Sequence, residues 1–274
     1  MASLKEILKN KLTKKELSQL IRSFDIIGDI AIIEIPAPLK KKEKIIAEAV
    51  MQQNNVIKTV LKKVEGRTGT YRQLKLKHLL GEKKKVTETK ESGVRLKLNV
   101  EKCYYSPRLA TERLRIASLV KPNEEILVMF SGVAPYPLVI AKHSFAKRIV
   151  GVELNPLAHK FALENIHLNK LGLKIQVLKG DAKKISPSLG KFDRVIMPWP
   201  KGAKPYLKIA FDAVKKNGTI HFYYFEAEEE LSKVNKKMIE LCKKLKRKCK
   251  ILNVSKAGKY APHVYRVCVD MRVS

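Results

Sequence analysis

The chain has 274 residues, with 57 Lys plus Arg against 26 Asp plus Glu and a net charge of +31, so it is long enough for a full core and for two domains, and its field favours a polyanionic partner such as nucleic acid. It holds no run of about 18 apolar residues, its N-terminus MASLKEILKNKLTKKEL lacks a signal-peptide apolar core, and its four cysteines show no C-x-x-C spacing; we expect a soluble cytoplasmic protein with no membrane partner, no zinc site and reduced thiols. Glu does not keep pace with Lys, unlike in the ion-pair networks of thermophile surfaces, and with one Trp and 7% aromatic residues phosphate contacts are expected to outweigh base stacking.

In chain order, residues 4–22 read as a basic amphipathic helical segment broken near Thr13. Residues 23–100 read as a small α/β domain, with strands over 24–27, 30–35 and 94–100 and a helix over 42–53. The interval 62–90, polar and rich in lysine, is expected to be a long loop that binds a ligand or presents a solvated face. Residues 101–125 bridge to the second domain, and Ser106-Pro107 starts a helix over 108–119. On it Glu112 lies four residues from Arg108 and three from Arg115, which by spacing alone reads as an ordinary salt-bridged face.

The second domain, 101–274, opens with ILVMFSGVAPYPLVIAKHSFAKRIVGVELN over 126–155. A short continuous apolar run gives a buried parallel strand, Ser131-Gly132 a tight turn and 138–141 part of a helix. A second strand over 148–154 carries Glu153 near its carboxyl end. A carboxylate about 20 residues beyond a glycine-containing turn suits both ribose hydroxyls of a nucleoside, whether NAD or S-adenosylmethionine. One glycine, two prolines and no basic residue in the turn serve a pyrophosphate poorly, which favours S-adenosylmethionine; a ligand-free α/β domain with a glycine in its turn stays open. A helix over 156–168 follows, then a strand over 175–178 ending at Asp181, placed to reach an adenine amine. The strand over 192–197 ends at Pro198-Trp199-Pro200, where open α/β sheets place substrates. A helix over 204–214, a strand over 219–225, a helix over 226–246 and strands over 250–254 and 265–272 complete a Rossmann-like domain.

Seven stretches then carry a resemblance: SPRLATER from Ser106, MFSGVAPYPLVIA from Met129, VELNPLA from Val152, LKGDA from Leu178, DRVIMPWPKGA from Asp193, IHFYYF from Ile220 and YAPHVYRVCVD from Tyr260. In order and spacing the chain resembles the archaeal and eukaryotic tRNA guanine-37 N1-methyltransferase family. The resemblance implies an α/β fold, a class I methyltransferase domain behind a small RNA-contacting α/β domain, with S-adenosylmethionine as donor and a tRNA anticodon stem-loop as acceptor. We expect a monomer. It implies donor contacts from Phe130, Ser131, Gly132, Val133, Glu153, Leu154, Asp181, Ala182 and Pro198, and substrate contacts from Arg108, Arg113, Trp199 and Pro200. It also implies that Glu112 is the general base for the N1 proton and that Arg72 steadies charge on the guanine oxygen. Three positions depart from the family pattern: Val128 replaces an Asp, Ala134 a Gly and Pro198 an Asn. The extra N-terminal module of fuller members is not expected here. Two other readings are a related aminocarboxypropyltransferase of wyosine synthesis using the same donor, and a non-catalytic RNA-binding relative.

Overall fold

The computed structural model describes residues 2–199 and 201–274. They divide into two compact units, the first comprising 1–91 with 95–107 and the second 92–94 with 108–274.

In the first unit, helices α1 (Leu4–Leu8) and α2 (Lys14–Gln19) each begin in a capping box, Ser3 with Glu6 and Thr13 with Glu16. The Thr13 cap is the break expected in the N-terminal segment. Leu4, Leu8, Leu12 and Leu20 are buried in one cluster with Ala31, Ile33, Ile46, Val50 and Val60. Strands β1 (Asp25–Ile27), β2 (Ile30–Ile33), β3 (Thr59–Thr68) and β4 (Gln73–Gly81) form a sheet in that order, antiparallel except for the β2–β3 pair. The parallel pair is bridged by α3 (Glu43–Gln53), as parallel neighbours require. Strands β5 (Val86–Glu91) and β6 (Val94–Asn99) form a hairpin on Ser92-Gly93, both at positive φ, as a two-residue turn between twisted strands demands.

The interval 62–90 is therefore not a loop but most of three strands. Leu74 and Leu76 are buried while Lys75 and Lys77 face out, so the lysines mark the solvated face of a one-sided antiparallel sheet.

The second unit is built on β7 (Glu125–Met129), β8 (Arg148–Glu153), β9 (Ile175–Lys179), β10 (Phe192–Met197), β11 (Val214–Ala227), β12 (Cys249–Ala261) and β13 (Val264–Val273). Their order is β12-β13-β11-β10-β7-β8-β9, parallel from β9 to β11, with β13 running antiparallel between β11 and β12. After β7 the chain turns toward β8 on one side and later returns to β10 on the other. The carboxyl ends of β7 and β10 thus flank the switch point where α/β sheets open a crevice. Helices α4 (Ala110–Ser118), α5 (Pro135–His143), α6 (Pro156–Leu168), α7 (Ala182–Ile185), α8 (Leu207–Ala213) and α9 (Val234–Lys244) complete it. The apolar run Ile126–Met129 is fully buried, as a central parallel strand requires.

Two expectations fail here. The helix expected over 226–246 begins only at Val234, because β11 continues to Ala227, opposite Val264. The thiols are not all free: Cys242 on α9, whose buried face is Val234, Met238 and Cys242, forms a disulfide with Cys249 at the start of β12, while Cys103 and Cys268 are free and buried. Cysteine spacing was uninformative because the pair joins a helix to a strand across a short connection. Among the described residues no helix is long and apolar enough to cross a membrane.

Candidate functional site

The turn after β7 is built by the backbone. Phe130, Gly132 and Ala134 all have positive φ, at 60°, 59° and 67°, so the chain curls tightly before Pro135 opens α5. Ser131 is buried and its N–H donates to the carbonyl of Val152 at 2.9 Å, stitching the turn to β8. Val133 is buried, and its carbonyl accepts from the side-chain amide of Asn165 at 3.0 Å. Gly151 leaves the room this needs, because a Cβ there would come within 2.9 Å of the Ser131 hydroxyl.

Glu153 is gripped by the same turn. The Gly132 N–H donates to its Oε2 and the Asn155 N–H to its Oε1, both at 2.7 Å. The Leu154 amide adds a third backbone hydrogen bond, and a carboxylate with about four lone-pair positions still has room for a ribose hydroxyl. Burial pushes the Glu153 carboxyl above its ordinary range, with the Asn155 and Gly132 amides pulling the other way. Asn155 is a site residue the sequence reading missed, although Asn-Pro is a helix-start signal: its side chain caps α6, accepting from Leu157 and Ala158.

Around the neighbouring strand ends lies an aromatic group. Phe130 meets the rings of Trp199 and Tyr206 edge-on, each at 4.9 Å between centroids, and Trp199 and Tyr206 are 6.0 Å apart. Trp199 fills the space beside Gly202, where a Cβ would strike the indole at 2.4 Å. Its buried indole N–H has no partner among the described residues, so this wall keeps one donor in reserve. Asp181 caps α7 through the Lys183 N–H at 2.9 Å and faces Tyr206, whose hydroxyl is pushed up by burial and by that carboxylate. Ala182 is buried, Pro198 half-buried and Leu154 exposed; Pro200 lies outside the described residues. Phe130, Gly132, Glu153, Asp181 and Trp199 are thus joined through shared contacts, with Tyr206 an unforeseen member. The Glu153 carboxylate and the aromatic wall suit the ribose and the adenine ring of S-adenosylmethionine.

A second group of the same unit centres on α4. Glu112 and Arg113 are buried and Arg108 exposed. Arg115 reaches Glu112 with two hydrogen bonds of 2.7 Å, so the pairing suggested by spacing does form. Tyr223 of β11 donates to Glu112 Oε1 at 2.6 Å, and Tyr136 of α5 donates to the Tyr223 hydroxyl at 3.1 Å. Arg113 lies 5.9 Å over the Tyr136 ring. Because Tyr136 sits one residue past the start of α5, Glu112 is tied through two hydroxyls to the turn that holds Glu153. Behind Arg115 stand Asp270 and His221. The ligand atoms of His221, Cys268 and Asp270 converge, but they bond to one another and to Arg115 and Arg194, two cations that would repel a metal ion. Val128, one of the departures, is fully buried in β7 between Gly151 and Ile196 of the adjacent strands.

Arg72 belongs to the other unit. It has positive φ in the turn between β3 and β4, its carbonyl accepts from Arg67, and the guanidiniums of Arg67 and Arg72 lie 4.5 and 4.8 Å over the ring of Tyr104.

The model of the TRM5/TYW2 methyltransferase domain matches residues 87–252, and that of the TYW2 N-terminal domain residues 4–84. The chain is similar to the tRNA (guanine(37)-N(1))-methyltransferase Trm5b of Pyrococcus abyssi, 40% identical over 255 residues that cover 92% of this chain and 75% of that one. It is also similar to the tRNA(Phe) (4-demethylwyosine(37)-C(7)) aminocarboxypropyltransferase of Pyrococcus horikoshii, 30% identical over 98% of this chain and 96% of that one. Its fold matches that of Methanocaldococcus jannaschii Trm5 in complex with adenosine with a TM-score of 0.83 at 33% identity, covering 99% of this chain and 78% of that one. The chain belongs to the TRM5/TYW2 methyltransferase family.

Proposed function

We propose that this protein is a tRNA methyltransferase that moves the methyl group of S-adenosylmethionine to N1 of guanine 37 in the anticodon loop. The observation that carries the reading is the link between its two carboxylates: Glu153 is held by the turn after β7, and Glu112 is tied to the same turn through Tyr223 and Tyr136. The 40% identity to a methyltransferase that acts on guanine 37 supports it.

When bound, the donor supplies a methyl group on a sulfonium. Glu153 would take the ribose hydroxyls and Asp181 the adenine amine, with Phe130, Ser131, Gly132, Val133, Leu154, Ala182 and Pro198 walling the site. Guanine N1 carries a proton and has no free lone pair, so the transfer requires that proton to leave. Glu112 takes it as the N1–CH3 bond forms and the methyl–sulfur bond breaks, the electron pair going to sulfur. Arg72 would offset charge on the guanine oxygen, Arg108 and Arg113 would hold phosphate or orient Glu112, and Trp199 and Pro200 would flank the base. The excess of 57 basic over 26 acidic residues suits an acceptor read mainly through its phosphates. We take the protein to act as a monomer in the cytoplasm, with residues 23–100 as the tRNA-contacting domain behind the N-terminal segment 1–22.

The second reading, aminocarboxypropyl transfer from the same donor, is favoured by Pro198, which removes the asparagine amide expected to face the base. Incubating unmodified tRNA with donor labelled in the methyl group or in the carboxyl group separates the two. Methyl label in 1-methylguanosine supports the first, and carboxyl label in the tRNA replaces it with the second.

A further inference from the structure

Glu112 accepts hydrogen bonds from three donors, and together they fix which of its lone pairs is left. Arg115 reaches it as a fork, Nε to Oε2 and Nη2 to Oε1, and Tyr223 donates to Oε1. A carboxylate offers about four lone-pair positions, two on each oxygen. Both positions of Oε1 are taken and one of Oε2, so the open position lies on Oε2.

Arg115 is not free to swing away. Its Nη1 donates to Asp270 Oδ2 at 2.7 Å, and Asp270 Oδ1 is 2.6 Å from His221 Nδ1 and accepts the Cys268 thiol at 3.3 Å. On its far side His221 faces Arg194, whose Nη1 lies 2.6 Å from Nε2. A guanidinium only donates, so Nε2 must accept, which places the imidazole proton on Nδ1 and aims it at Asp270. Arg194 is itself anchored by Glu124 at 2.7 Å. The chain Glu124, Arg194, His221, Asp270, Arg115 and Glu112 therefore alternates donor and acceptor without a break, and it spans α4, β10, β11 and β13.

We infer that Arg115, held from behind by Asp270 and His221, is a positioning residue that presents Oε2 of Glu112 as the atom receiving the guanine N1 proton. This rests on Glu112 being the base. A planar fork gripping both oxygens fixes the carboxylate plane, which a lysine at the same place could not do. The other titratable groups near Glu112 are Tyr136 from α5, Tyr223 from β11 and Cys268 from β13. Burial pushes the tyrosines and the thiol up, so they stay protonated.

The test is single-turnover methyl transfer to unmodified tRNA for the wild type, Arg115→Lys, Tyr223→Phe and Glu112→Gln, with calorimetric binding of S-adenosylhomocysteine alongside. Arg115→Lys keeps the charge and loses the fork. It should lower the plateau rate by about 10-fold, while S-adenosylhomocysteine binding stays within about twofold. Tyr223→Phe, which leaves the fork and removes one Oε1 donor, should lower the plateau rate by less, about threefold. Wild-type plateau rates in both variants, or a loss of donor binding equal to the loss of rate, with Glu112→Gln inactive, would overturn the positioning role and leave Glu112 as the base. Wild-type rates in Glu112→Gln would instead remove the base assignment, and the inference with it.

Discussion

Glu153 and Glu112 belong to one unit and sit at two ends of one hydrogen-bonded path, yet they are held in opposite ways. Glu153 is gripped by backbone amides, of Gly132, Asn155 and Leu154, and among the described residues no cation pairs with it. Glu112 is gripped by side chains, a guanidinium fork and a phenol. For the first carboxylate burial outweighs the amides and raises its proton affinity. The guanidinium fork fixes the plane of the second and leaves a lone pair of Oε2 open. The first arrangement suits a residue that binds neutral hydroxyls, the second a residue that must be ready to accept a proton.

The largest expected effect breaks the Glu112 side. Glu112→Gln should lower single-turnover methyl transfer by about 10²- to 10⁴-fold, the usual range for loss of a positioned base, with S-adenosylhomocysteine affinity unchanged in calorimetry. Glu153→Ala should do the converse and weaken S-adenosylhomocysteine binding by about 30-fold or more, two charge-assisted hydrogen bonds being lost at about 1 kcal/mol or more apiece. If both substitutions weakened donor binding equally, the division of labour would be wrong.

A smaller effect concerns the support behind Glu112. Burial holds the His221 imidazole below its ordinary pKa of 6.5, and Asp270 is held well below the usual carboxylate range by His221 and Arg115, against its own burial. Below 6.5 the unfolded chain binds a proton at His221 that the folded chain refuses, so folding stability falls as the pH drops, with a slope of up to about 1.4 kcal/mol per pH unit. Above 6.5 both states are neutral and this contribution is complete. In urea titrations at about pH 5 and about pH 7, His221→Gln should lose most of that difference. An unchanged difference would mean that His221 is already protonated in the fold.

The smallest concerns the turn on the Glu153 side. Ala134 sits at φ 67° and ψ 33°, a left-handed conformation that a Cβ disfavours. Ala134→Gly should raise stability by about 1 kcal/mol in denaturant unfolding, and a loss would show that the methyl group makes packing contacts worth more than the strain.

The same contrast explains what could be read in advance. Glu153 and its turn were legible because the amides that hold the carboxylate lie between Ile126 and Asn155, in apolar runs of strand length with a glycine and an acid at known separation. The resemblance named Glu112, but nothing local could reveal its surroundings. Tyr223 is 111 residues away, and Asp270 stands 155 residues beyond Arg115; only the insertion of β13 beside β11 brings them in. The same holds for the misread stretches. The alternation of Leu74 and Leu76 with lysines was a period-two signal outweighed by charge, and β11 runs on to Ala227 because β13 provides a partner there.

The central claim, that this site transfers a methyl group to guanine N1 with Glu112 as base, is tested most directly by one measurement: single-turnover reaction of unmodified tRNA with methyl-labelled S-adenosylmethionine, followed by nucleoside analysis, for the wild type and Glu112→Gln. The account predicts label in 1-methylguanosine at position 37 with the wild type and a loss of at least about 100-fold in the variant. Label absent from 1-methylguanosine, or equal rates for the two proteins, would contradict it.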